Sequence, residues 1–198
     1  MLDRVSPRAR PMSPQERRDA LIEATLPLLV EHGRSVTTRQ IADAAGVAEG
    51  TIFRVFETKE ELVHAALHQA FLWDDYVAAV KNIDRSLPLE GRLVELVVLM
   101  QGRFTEIFGL MRSVGMVAPP EDYDHTHERA RWVQQMLAAM IGVVHPDAKS
   151  LTVPAAEVIH LLRLLTFSGT HPEISLGHTL TPEQIVRVVL HGVEKRGR

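Results

Sequence analysis

Apolar side chains recur along this chain at intervals of three and four residues, the period of amphipathic helices, and strand-like alternation is almost absent. Ser13-Pro14-Gln15-Glu16 combines a cap, a first-turn proline and a capping-box glutamate, and Leu21, Ile22, Thr25, Leu28 and Leu29 follow on one face up to Gly33. Pro27 falls inside this helix and is expected to bend it or cost it a hydrogen bond. Thr58 with Glu61 predicts the start of a long helix whose stripe is Leu62, Ala66, Gln69, Trp73, Tyr76, Val77 and Val80. Pro88 opens another, with Leu93, Leu96, Val97, Met100, Phe104, Ile107, Phe108 and Met111 inward. Pro119-Pro120 breaks the chain before a helix over 123–143 that carries Trp132, Val133, Met136, Leu137, Met140 and Ile141. A loop over 145–154 precedes two last helices, 154–169 and 181–195, the latter introduced by Thr181-Pro182-Glu183-Gln184. The pattern predicts an all-α chain of about nine helices.

One stretch departs from simple amphipathic helices. Residues 36–56 read as two short helices joined by a glycine turn, a helix-turn-helix of the kind that lays its second helix in the DNA major groove. Thr37 with Gln40 makes a capping box, and Ile41, Ala44 and Ala45 give the first helix an inward face. Gly46 suits the left-handed residue that ends it, with Val47 filling the gap between the helices. The second helix turns Ile52, Val55 and Phe56 inward and Glu49, Thr51, Phe53 and Arg54 outward. The motif, about 37–56, sits in a candidate DNA-binding domain over 14–60, preceded by a basic tail over 1–13 and followed by a helical domain over 61–198.

Composition narrows the classes. The 198 residues contain no cysteine, which excludes disulfides, thiolate catalysis and cysteine-based zinc sites. No window approaches the roughly 20 apolar residues that span a bilayer. Nor does an apolar run follow the first arginines as in a secretory signal, so a cytoplasmic protein is expected. The net charge of −3 argues against nucleic acid until its distribution is considered. Residues 1–18 carry a net +3, through Arg4, Arg8, Arg10, Arg17 and Arg18, whereas residues 60–198 hold 13 basic and 17 acidic side chains. A basic end on an acidic body is compatible with a DNA reader.

The last two helices are apolar on more than one side. Val158, Ile159, Leu161, Leu162, Leu164, Leu165 and Phe167 surround one, and Ile185, Val186, Val188, Val189 and Val193 mark the other. Such helices need burial on two sides, and a twofold homodimer interface would supply the second. Ile159, Leu162, Val186, Val189 and Val193 are the candidate interface residues. A central core helix within one chain is the competing explanation.

With these motifs in place, residues 14–72 resemble the tetracycline-repressor (TetR) family of bacterial transcription regulators. The resemblance rests on Glu31-His32-Gly33, on the run from Val36 to Ala42, and on Ala45-Gly46-Val47. It continues through Gly50-Thr51-Ile52-Phe53 with Phe56 to Thr58-Lys59-Glu60-Glu61-Leu62. It implies a small domain that binds operator DNA as a dimer and a larger one that holds an inducer and the dimer interface. It also implies that Thr38 and Arg39 touch phosphate and a groove edge, and that Ala48, Glu49, Gly50 and Thr51 begin the recognition helix. Phe53, at the usual tyrosine position, would pack on a sugar-phosphate or a thymine methyl, and Lys59 would meet a phosphate.

The sequence departs from the family at several of these positions. Ala48 replaces a frequent serine cap, and Glu49 brings a carboxylate that repels phosphate but can accept from a cytosine amino group. Phe53-Arg54-Val55-Phe56 lacks a phenol and an imidazole donor that many members carry, which Arg54 can replace by gripping phosphate or a guanine edge. Phosphate contacts through Arg39, Arg54, Lys59 and the tail arginines would dominate affinity. Arg8 and Arg10 could also reach a minor groove.

Met100, Phe104, Phe108 and Met111 on one helix and Trp132, Met136 and Met140 on another have the composition of an adaptable apolar pocket, or of plain core. If they form a pocket, its ligand is a largely apolar small molecule, with Arg103, His127 or Arg131 as polar anchors. His64 with His68, and His125 and His127 beside Asp124 and Glu128, have metal-like spacing but incomplete ligand sets, so no metal and no cofactor is expected. No phosphate loop, nucleophile elbow or paired carboxylate stands out, so an enzyme is not expected. The expected function is a dimeric repressor released from a palindromic operator by such a ligand. A helical binding protein or enzyme with a merely structural N-terminal motif is the alternative, and exposure of Phe53 separates the two. A DNA binder with no inducer is a third reading, which a sealed interior would support.

Overall fold

In the computed structural model, residues 12–71, 74–117 and 127–193 are described. The tail arginines Arg4, Arg8 and Arg10, and Asp124 and His125, lie outside them. Eight α-helices are found among the described residues: α1 (Pro14–His32), α2 (Thr38–Ala45), α3 (Lys59–Ala70), α4 (Asp74–Lys81), α5 (Leu89–Ser113), α6 (His127–Val144), α7 (Ala155–Thr170) and α8 (Pro182–Val193). Short 3-10 turns at Gly33–Ser35, Glu49–Arg54 and His145–Ser150 join or replace helices. The fold is all-helical, as the periodicity predicts. None of these helices is long and apolar enough to cross a membrane.

The chain divides into two compact units after Gln69, later than the sequence pattern suggested, so α3 belongs with the N-terminal unit. The predicted long helix from Thr58 to Val80 is instead α3 and α4, with Leu72 and Trp73 between them outside the described residues. In the N-terminal unit Leu21, Leu29, Val36, Ile41, Ile52, Phe56 and Leu62 are fully buried. Both predicted capping boxes form: the Ser13 and Thr37 side chains accept from the Glu16 and Gln40 amides, and the partner side chains bond back. The Thr25 hydroxyl is buried and donates to the Leu21 carbonyl at 2.7 Å, which satisfies it inside α1.

The α2 end is a Schellman turn. Gly46 takes φ +66, its N–H meets the Asp43 carbonyl at 3.2 Å, and the Val47 N–H reaches the Ala42 carbonyl at 3.0 Å. Ile41 and Ala42 face the core, whereas Ala44, expected inward, is exposed.

In the second unit α5 packs against α4, α6, α7 and α8 around a core that includes Leu93, Leu96, Val97, Met140, Val143, Val158, Ile159, Leu162, Ile185 and Val186. Two polar ties hold loops to α5. Buried Arg92 pairs with Asp147 of the 3-10 turn, and the Gln101 amide donates to the Leu180 carbonyl at 2.8 Å. Gly169 lets the returning loop come close, because a Cβ there would meet the Leu180 side chain at 3.0–3.2 Å.

Gly46→Ala places a Cβ in open space but on a left-handed residue, so its cost is backbone strain alone. Urea denaturation should show a loss of about 1 kcal/mol, and an unchanged midpoint would contradict the Schellman assignment. Leu162→Ala, in the closed core, should lose about 2–5 kcal/mol in the same assay.

Candidate functional site

The first candidate surface is the 3-10 segment Glu49–Arg54 and its support. Ala48 precedes it with no side-chain cap bond, so the segment starts without the hydroxyl that would collect its free amides. It closes as a tight turn, with the Thr51 N–H bonded to the Ala48 carbonyl at 2.8 Å. Ile52 and Phe56 are driven into the core and are 0% and 1% exposed. Phe53, between them, is 55% exposed, and Arg54 beside it is exposed. An aromatic ring left in water on a short segment gains nothing from the fold it sits on.

The neighbouring residues set the electrostatics. The Thr38 hydroxyl donates to the Glu49 carboxylate at 2.5 Å, joining the first turn of α2 to the start of the 3-10 segment. This bond occupies one oxygen of the acidic side chain and holds it in place. Arg39 is exposed. The Lys59 ammonium lies against the carbonyls of Arg34 and Val36 at 3.4 and 3.2 Å, so it also stitches α3 to the turn before α2. Arg17 donates to the Met12 carbonyl at 3.0 Å, and the Arg18 guanidinium covers the Phe56 ring at 4.4 Å from its centroid. Both are engaged within the domain, which sequence reasoning did not foresee.

The second candidate is a cavity of about 630 Å³ in the helical unit. Every methionine and aromatic grouped from the sequence lines it: Met100, Phe104, Phe108 and Met111 from α5, and Trp132, Met136 and Met140 from α6. Phe104, Phe108 and Phe167 make an aromatic corner, with edge-on centroid distances of 5.4 and 5.1 Å to Phe167. The expected anchors do not supply its polar edge. Arg103 turns to the Ala70 carbonyl and to Glu106, Arg131 is absent from the lining, and the His127 side chain lies outside the described residues. Tyr76 of α4 and His160, Arg163 and His171 on or just beyond α7 are there instead. Burial pushes the Tyr76 phenol well above the usual tyrosine range, with the nearby Arg163 charge only partly opposing it, so the phenol stays protonated. The polar α7 residues were missed because apolar residues on more than one side of the helix pointed to an interface instead; their signal was the helical spacing 160, 163, 167, 171.

The candidate interface residues are placed differently from expectation. Ile159, Leu162, Val186 and Val189 are buried within the chain itself, because α7 and α8 turn these sides to α5 and to each other. They belong to the core of the helical unit. The uncovered apolar residues on these helices are Leu161, Leu164 and Phe167 on α7 and Val188 on α8. The Val193 side chain lies outside the described residues. His64 is exposed on α3, and among the described residues no group of three or more histidine or carboxylate side chains comes together as a metal site.

The N-terminal unit of α1 to α3, with its glycine-ended α2 and short exposed segment, has the arrangement of a helix-turn-helix domain, and the second unit is helical. Residues 21–66 match the model of the bacterial regulatory proteins of the tetR family. That stretch of the N-terminal unit is therefore similar to the DNA-binding segment of tetR-family proteins. It is 46% identical over 59 residues to the uncharacterized HTH-type transcriptional regulator YvkB of Bacillus subtilis, covering 29% of this chain and 30% of that one. It is 34% identical over 64 residues to the HTH-type transcriptional repressor KstR2 of Mycolicibacterium smegmatis, covering 32% and 31%. The matched segment thus spans about a third of the length of these curated relatives. In fold, the chain is similar over 93% of its length to a tetR-family regulator structure from Mesorhizobium loti, which is covered completely (TM-score 0.66, 15% identity). A similar likeness over 91% links it to one from Vibrio parahaemolyticus, again covered completely (TM-score 0.62, 17% identity).

Lys59→Met removes the ammonium from the Arg34 and Val36 carbonyls. It should lower stability by about 1 kcal/mol, read as a shifted urea midpoint, and no shift would mean the contact does not hold α3.

Proposed function

We propose that this chain is a DNA-binding transcriptional regulator, a homodimeric repressor released from a palindromic operator by a small, largely apolar ligand. The observation that carries the reading is the outward-facing pair Phe53 and Arg54 on a segment anchored by buried Ile52 and Phe56. Had the motif been structural only, as in an enzyme or a simple binding protein, the Phe53 ring would be expected inside. The tetR-family match over residues 21–66 and the likeness to the transcriptional repressor KstR2 support the same reading.

In this reading Thr38, Arg39, Ala48, Glu49, Gly50, Thr51, Phe53, Arg54 and Lys59 form the DNA-facing set. Arg39 and Arg54 hold phosphates or guanine edges, and Phe53 packs on sugar or a thymine methyl. Lys59 adds charge near phosphate while keeping its structural contact. Glu49, held by Thr38, disfavours sequences that crowd phosphate against it and accepts from a cytosine amino group.

The 630 Å³ cavity favours a ligand-responsive protein over a constitutive binder. Its occupant acts by binding one spacing of the two reading heads better than the other, since ligand shifts an equilibrium only through differential affinity. The exposed apolar residues Leu161, Leu164, Phe167 and Val188 are the dimer-facing set, in place of the buried ones.

Duplexes selected from a random pool should be palindromic. Arg54→Ala should weaken binding to them by about tenfold and reduce the salt dependence by about one unit of slope. Unchanged affinity and slope would remove Arg54 and the recognition segment from the interface. Leu161→Glu combined with Val188→Glu should convert a sedimenting dimer to monomer and abolish palindrome binding; a dimer that persists would place the interface elsewhere.

A further inference from the structure

The cavity has walls of two kinds. One side is carbon and sulfur, with the Phe104, Phe108 and Phe167 rings in mutual edge or stacked contact. The polar side comes largely from one face of α7 and its end, where His160, Arg163 and His171 line the space together. No carboxylate is among the described lining residues, and none of them pairs with Arg163. The group on which the Arg163 charge acts, Tyr76, is a phenol that burial keeps protonated, so it supplies no counter-charge. The His171 ring is oriented: it packs edge-on against Phe108 at 4.6 Å between centroids, and its Nδ1 accepts from the Ile174 amide at 3.4 Å. With Nδ1 used as acceptor, a neutral ring carries its proton on Nε2 as a donor.

A half-buried guanidinium beside an apolar cavity, with donors next to it and no acid to balance it, is complementary to a ligand that carries its own negative charge. We infer that the ligand of this site is a hydrophobic carboxylate, its apolar body against the aromatic corner and its anionic head on Arg163, with His160 and His171 as flanking donors. The inference rests on the reading of the cavity as the effector site and specifies the chemistry that site selects. Its polar head lies on α7, which also carries Leu161, Leu164 and Phe167 on its uncovered side. Occupancy by an anion would therefore be registered on the helix proposed to face the second subunit.

The test uses the full chain and two probes of nearly equal size and shape, 2-naphthoate and 2-naphthalenemethanol, titrated by isothermal calorimetry. Naphthoate should bind at least about tenfold more tightly than the alcohol, the advantage of a charge-assisted over a neutral contact. Arg163→Met should erase that preference, chiefly by weakening naphthoate, while Arg163→Lys should keep part of it. Circular dichroism would confirm that both variants fold. Equal binding of the two probes to the native chain, or a preference that survives Arg163→Met, would overturn the carboxylate inference and leave the apolar effector site standing. Failure of both probes to bind would overturn the effector-site reading and this inference with it.

Discussion

The burial of Ile52 and Phe56 is the constraint on which the proposed DNA-facing surface depends. The segment is only six residues long and starts without a cap, so its own backbone bonds do not hold it. Two apolar anchors fix it instead, one within it and one just past its end, and the Arg18 guanidinium closes over the second. Once these are inside, Phe53 and Arg54 have no direction left but outward. The Thr38–Glu49 bond and the Lys59 contacts then join α2, the 3-10 segment and α3 into one support. Polar residues that a motif would assign to DNA alone thus also carry structure, so substitutions at Thr38, Glu49 or Lys59 change stability as well as the proposed DNA contacts.

In the helical unit, α7 divides its circumference among three environments. Val158, Ile159, Leu162 and Thr166 are buried in the core, His160, Arg163, Leu164, Phe167 and the following His171 line the cavity, and Leu161 stays on the outside with parts of Leu164 and Phe167. A helix with an apolar stripe on each side has only a narrow sector for polar groups. Placing Arg163 there puts a full charge where the surroundings are mostly hydrocarbon, so any partner it acquires is held strongly. The loop that returns from α7 to α8 is fixed by the Leu180 approach to Gly169 and by Gln101, which sets where His171 stands.

What could be read from the chain alone was whatever depends on neighbours within a turn or two. Caps at Ser13, Thr37 and Thr181 are i to i+3 relations, and each forms its bonds. Gly46 ends α2 because the turn requires positive φ, and the inward Ile52 and Phe56 and outward Phe53 and Arg54 follow from spacing. The methionines and aromatics of α5 and α6 converge because each lies on the inner stripe of its own helix.

Tertiary structure decided what depends on distance along the chain. Arg92 meets Asp147 across 55 positions, a pairing no local pattern signals, and Arg103 turns away from the cavity to a carbonyl 33 positions back. A helix that is apolar all round announces two burial surfaces but does not say which side meets which neighbour. That choice followed from the packing of α5 against α7 and α8, which drew Ile159, Leu162, Val186 and Val189 inward. Periodicity fixes the angle between side chains on one helix, whereas the rotation of that helix about its axis is set only by the surfaces it packs against.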